Sequence, residues 1–149
     1  MEDNIILLLK QLHLSLEQYG REQMKGLDLS PAQSLALGYL FSRKGHTVYA
    51  TELHGTFGIS KSAISSTLKG LKKNGYIETT VNPKDDRKKQ IILTDKALMI
   101  EAQIHTRMQE QQSRLCRNIP QPHLEIMENG LHTMLANLKE EHQGRDSIC

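Results

Sequence analysis

Cysteine is scarce in this chain. The two present, Cys116 and Cys149, are far apart and fit no metal-binding or CxxC spacing. They are expected to be reduced thiols in a reducing compartment. Long apolar runs are also missing: no stretch approaches the roughly 18 residues a membrane helix needs. The opening MEDNIILLLKQLHL carries a short apolar run. It has no basic leader and no small-residue cleavage site, so no signal peptide is expected and the default location is cytoplasmic. The seven histidines form no HxxxH or HExxH pair. There is no phosphate-cradling glycine loop, no set of nucleophile, base and orienter, and no carboxylate pair at catalytic spacing, Asp85 and Asp86 being immediate neighbours. No catalytic residue, metal ligand or cofactor is therefore expected, and an enzyme is the least favoured class. Neither an internal repeat nor a low-complexity segment is present.

What is there is ordinary in bulk and uneven in distribution. The 149 residues, 38% hydrophobic and 24% charged, suffice for one domain with a real core. The formal net charge is only +2. Residues 60–90, however, hold eight Lys or Arg against three acidic residues, a local charge of +5, whereas residues 1–59 sum to −1 and residues 91–149 to −2. Positive charge gathered into one segment is the footprint expected of a phosphate-binding surface.

Hydrophobic spacing predicts six helices and a hairpin. Ile5, Leu9, Leu12, Leu16 and Tyr19 recur on one helical face within 3–24, and Ile6, Leu7 and Leu8 widen the stripe. That is more apolar surface than one neighbour covers, which points to a subunit contact. Ser30 and Pro31 open a second helix that runs to about Arg43, with Leu35, Tyr39 and Leu40 expected to face inward. Thr47 to Tyr49 reads as a short strand or extended piece. Thr51 to Phe57 is a short third helix ended by Gly58, after which Ile59 is expected to tuck in. Ser60 caps a fourth helix that turns Ile64, Leu68 and Leu71 to the core and stops at Asn74-Gly75. Two β-rich runs, 76–81 and 89–93, flank a charged tip, NPKDDRKK, read as a long hairpin loop. Thr94-Asp95 caps a fifth helix to about Arg117, with a sparse stripe of Ala97, Ile100, Ile104, Met108 and Leu115. Pro120 and Pro122 break the chain. A sixth helix then places Leu124, Met127, Leu131, Met134 or Leu135, and Leu138 at heptad-like intervals.

The third and fourth helices with their glycine turn read as a helix-turn-helix, and the hairpin behind them as a wing. The fold class is thus mainly α with a small β-hairpin wing. A helix entering a major groove presents short polar and long cationic side chains. Ser60, Lys61, Ser62, Ser65 and Ser66 occupy the first turns of the fourth helix, where base edges are met. Lys61 is the leading base contact, and Lys69, Lys72 and Lys73 suit phosphates. The wing carries Arg87, Lys88 and Lys89. An arginine entering a narrow minor groove gains from its negative potential, and a nearby carboxylate, Asp85 or alternatively Asp86, can hold it ready.

These residues resemble the MarR family of winged helix-turn-helix transcriptional regulators. TELHGTFGISKSAISSTLKGLKKNGYIE resembles the family's helix-turn-helix, and NPKDDRKKQIILT its wing, with an acidic-x-Arg element at Asp85, Asp86 and Arg87 before Leu93-Thr94. The resemblance implies an obligate homodimer built from the terminal helices and part of the fifth. It also implies a pseudo-palindromic duplex DNA operator, and repression of nearby genes relieved by a small ligand or an oxidant. On that basis the chain divides into a DNA-binding lobe over 30–94, a helical dimerisation region over 3–24 and 95–142, and a frayed tail over 143–149. Two positions depart from the family pattern, His54 where many relatives have alanine and Ser66 where many have arginine. The family's effector zone maps onto His13, Leu16, Glu17, Tyr39, His105 and Met108. Alternative readings are a winged-helix adaptor that binds protein rather than DNA, and a metal- or thiol-responsive member of the same family.

Overall fold

The computed structural model describes residues 4–82 and 84–146, with all their side chains except those of residues 82, 85–87 and 140–146. The element order is α1 (Ile5–Gln23), α2 (Pro31–Ser42), β1 (Val48–Tyr49), α3 (Ala50–Phe57), α4 (Lys61–Lys73), β2 (Ile77–Asn82), β3 (Asp85–Leu93), α5 (Asp95–Leu115) and α6 (Gln121–Asp146). It is the expected order, with the short run at Val48 and Tyr49 a true strand. The sheet is antiparallel, in the order β1-β3-β2, with Val48 opposite Ile91 and Ile91 opposite Thr79. Among the described residues no helix is long and apolar enough to cross a membrane.

The chain forms two compact units, residues 1–111 and 112–149. The first holds the core. Leu37, Leu53, Leu71, Ile77 and Ile104 are fully buried, one from each of α2, α3, α4, β2 and α5. Met24, Leu29, Ala36, Leu40, Val48, Ile64, Leu68, Tyr76, Ile91 and Ala97 complete the cluster. Local signals set where the helices start. Ser30 and Gln33 form a reciprocal capping box on α2, and Ala97 N–H donates to Thr94 Oγ1 at the start of α5. Gly58 and Gly75, with φ of 64° and 82°, take the left-handed conformation that lets α3 and α4 end abruptly.

Three expectations are corrected. Leu35 is 48% exposed, because α2 is apolar nearly all round and its Ser34, Ala36, Leu37 and Leu40 are the side that packs. Ile59 does not tuck in but is 38% exposed. The hairpin tip is not a long loop. β3 begins at Asp85, paired with Asn82, and a register shift at Val81/Asn82 accommodates the early turn.

The second unit is α6 with the last turn of α5 and the connection between them, in which Ile119 N–H donates to Cys116 O and Pro120 O accepts from His123 and Leu124 N–H. α6 extends to Asp146, beyond the end expected at 142. Leu124 and Met134 are half-buried, while Ile126 and Leu138 are each 69% exposed and Met127, Leu131 and Leu135 are exposed as well. Cys116 is a half-buried free thiol.

Two neighbouring substitutions in α3 should move stability in opposite directions. Leu53→Ala opens a cavity in the core and should cost about 2–5 kcal/mol. Gly55 is exposed with nothing near its missing Cβ, so Gly55→Ala should add about 0.5–1 kcal/mol through helix propensity alone. Urea unfolding at one fixed protein concentration measures both.

Candidate nucleic-acid interface

The outer face of α4 is set by its inner one. Ile64, Leu68 and Leu71 are buried. The opposite side then exposes Lys61, Ser62, Ser65, Ser66, Lys69, Lys72 and Lys73. Ser60 is also exposed, but its hydroxyl is committed locally: Oγ accepts from Ala63 N–H at 3.2 Å and lies 3.1 Å from Ser62 Oγ. Ser60 is therefore first a cap.

Both ends of α4 are anchored. At its start, Gly58 N–H donates to His54 O at 3.2 Å, and His54 Nδ1 lies 2.6 Å from Ile59 O. At its end, Thr94 Oγ1 donates to Gly75 O and Lys96 Nζ to Asn74 O, both at 2.6 Å. Lys96 also sits 4.5 Å from the Tyr76 ring centroid, and the Tyr76 hydroxyl donates to Leu27 O at 3.1 Å. α4 packs against α2 closely enough that a Cβ on Gly70 would lie 2.4 Å from Gln33 Nε2.

A cleft of about 420 Å³ lies between α3, α4 and the sheet. Lys61, Lys69 and Lys72 of α4, Lys89 of β3 and His54 of α3 line it, over a floor that includes Ala50, Ile64 and Leu68. Among the described residues no acidic one does. Lys72 Nζ also donates to Thr79 Oγ1 at 3.0 Å, which leans it onto β2. Lys88 goes elsewhere: its Nζ is 5.7 Å from the Tyr49 ring centroid, within cation–π reach. The structure thus brings Lys61, Ser65, Lys69 and Lys89 together around one cleft, while Ser62, Ser66 and Lys73 are exposed along the helix. The roles expected of the Asp85 and Arg87 side chains, and of Asp86 as the alternative, lie outside the described residues.

The six residues of the expected effector zone differ in exposure and in partners. His13 and His105 are exposed, and Leu16 and Glu17 half-buried. Tyr39 is engaged in the lobe, its hydroxyl donating to Glu52 Oε2 at 2.7 Å and its ring edge-on to Phe57 with centroids 5.7 Å apart. Met108 packs on α2, its Sδ 2.9 Å from where a Cβ on Gly38 would be. A second, more polar cleft of about 500 Å³ lies between the end of α1 and α5, beside Glu22, Lys25, Arg107 and Glu110; there Arg107 donates to Gln23 O. Among the described residues no cluster of three or more His, Cys, Asp or Glu could hold a metal ion.

A helix-turn-helix backed by a three-stranded sheet, with a cationic outer helix face, defines the class of winged helix-turn-helix proteins. Residues 27–88, the lobe just described, match the MarR family model. No curated protein matches it in sequence. Among solved structures, MepR of S. aureus in a DNA complex is 20% identical, with a TM-score of 0.84 over 91% of this chain and 99% of that one. A MarR-family regulator from Listeria monocytogenes, described as putative and complexed with a 26mer DNA, is 16% identical, with a TM-score of 0.81 over 93% and 91%. A mutant MarR from E. coli complexed with operator DNA is 22% identical, with a TM-score of 0.74 over 86% and 91%. At these identities the likeness is one of fold.

The capping role of Ser60 separates from any contact it makes outward. Ser60→Ala should lower stability by about 1 kcal/mol, whereas Ser60→Asp, another good cap, should leave it within about 0.5 kcal/mol of the parent. Denaturant midpoints at constant slope read both.

Proposed function

We propose that the chain is a DNA-binding transcriptional regulator acting as a homodimer, with α4 in the major groove and the β2–β3 hairpin over the adjacent minor groove. The observation that carries the reading is the cleft beside α4. Four lysines line it, and among the described residues no carboxylate does. Like charges so close repel unless a polyanion answers them. The exposed serines and lysines along the same helix supply short donors and acceptors for base edges. Ser60, Lys61, Ser62, Ser65 and Ser66 would meet bases. Lys69, Lys73 and Lys89 would meet phosphate, and Lys88 and Arg87, with Asp85 holding it, would serve the wing. The DNA complexes of MepR, of the Listeria regulator and of E. coli MarR support the same reading.

The dimer follows from apolar surface left open. α1 exposes Ile5, Ile6, Leu8, Leu12 and Leu14, and α6 exposes the five residues named above. A 26-residue helix with no buried side chain among those described needs a partner to cover it. Repression of neighbouring genes, relieved by a small effector, completes the proposal. His13, Leu16, Glu17, Tyr39, His105 and Met108 are the candidates to meet that effector. A cytoplasmic, non-enzymatic protein fits the same reading.

The test is binding to the duplex upstream of the gene. Log affinity should fall linearly with log salt, and each of Lys69→Ala, Lys73→Ala and Lys89→Ala should flatten the slope by about 0.9 for the phosphate it no longer neutralises. Slopes unchanged in all three would sink the assignment. For the dimer, sedimentation should show two chains in the parent and one in the double variant Leu8→Glu, Leu12→Glu, whose duplex affinity should drop at least about tenfold as the second half-site is lost.

A further inference from the structure

His54 grips the turn before the recognition helix at two points. Its carbonyl accepts from Gly58 N–H, and its ring Nδ1 stands 2.6 Å from Ile59 O. A carbonyl oxygen only accepts, so Nδ1 carries a hydrogen and donates it. In the neutral ring this fixes the tautomer and leaves Nε2 as the bare nitrogen, which can take a proton without disturbing the bond at Nδ1. Among the described residues Nε2 has no hydrogen-bond partner. The ring lines the cationic cleft, where Lys61, Lys69 and Lys72 of α4 and Lys89 of β3 face it. Glu52, on its own helix, is engaged by the Tyr39 hydroxyl.

Resting on the DNA-binding reading, we infer that His54 is a positioning residue that staples the turn through Nδ1 and takes up a solvent proton at Nε2 when a DNA phosphate enters the cleft. An anion beside an imidazole favours the charged ring. The complex therefore holds more protons than the free partners, and affinity rises as pH falls. The Nδ1 bond persists in both ring states, so charge is the variable and the staple is constant.

The experiment compares the full-length protein with His54→Asn and His54→Ala by duplex anisotropy at pH 6 and pH 8, at constant ionic strength. The Asn amide can donate to Ile59 O in place of Nδ1–H but does not titrate. The wild type should bind roughly three- to tenfold tighter at pH 6 than at pH 8. His54→Asn should match the wild type at pH 8 and change less than about twofold between the two, and His54→Ala should be weaker at both. An equal pH response in wild type and His54→Asn overturns the proton uptake, and His54→Ala binding as tightly as wild type at pH 8 overturns the staple. The tautomer is read without DNA from the ring nitrogen shifts of the free protein at pH 8. Hydrogen on Nδ1 supports the assignment, and hydrogen on Nε2 overturns it. Wild type that binds no duplex at either pH overturns the DNA-binding reading, and the proton uptake with it, while the ring shifts still judge the staple.

Discussion

Everything at the interface depends on how α4 is rotated about its own axis. Three buried side chains, Ile64, Leu68 and Leu71, set that rotation. Each is worth about 1.5–3 kcal/mol on burial. A turn of one residue's width would withdraw them and push a lysine toward Leu53 and Leu37, where nothing could answer its charge. The apolar stripe is therefore what aims the serines and lysines outward. The chemistry of the surface is held by a core that takes no part in it.

That core also makes α4 and the start of α5 one body. Thr94 and Lys96 both donate to the last carbonyls of the α4 turn, and the Tyr76 ring lies under the Lys96 ammonium. Further along α5, Arg107 holds the final carbonyl of α1, and Glu101 pairs with Lys44 beyond α2 at 2.7 Å. The ion pair is partly exposed and contributes little stability by itself, but it fixes where α5 lies. Short, directional bonds, rather than loosely packed surface, tie α5 to the end of α4.

Much of this was legible in the sequence because it is local. The spacing of Ile64, Leu68 and Leu71, the caps at Ser30, Ser60 and Thr94, and the glycine stops at 58 and 75 act over one to four residues, so periodicity and turn chemistry reveal them. What escaped depends on distance or on uniformity. α2 is apolar on nearly every side, so its pattern could not choose Leu37 over Leu35. The charged run DDRKK looks like a turn by composition, yet β1 and β2 supply ladder partners along β3 that no local signal announces. Lys88 is drawn to Tyr49 by that same pairing. His54 stood out in the sequence only as a departure. Its partner is a backbone carbonyl brought within reach by the left-handed Gly58, which no residue pattern spells out.

The central claim is that two copies of this lobe read duplex DNA through α4. Footprinting the purified protein on the duplex upstream of its gene, at near-physiological salt, tests it most directly. The account predicts two protected major-groove patches, their centres about one helical turn of 10–10.5 base pairs apart, related by an approximate dyad and flanked by minor-groove protection from the hairpins. Protection of a single isolated patch, or none at micromolar protein, would contradict it.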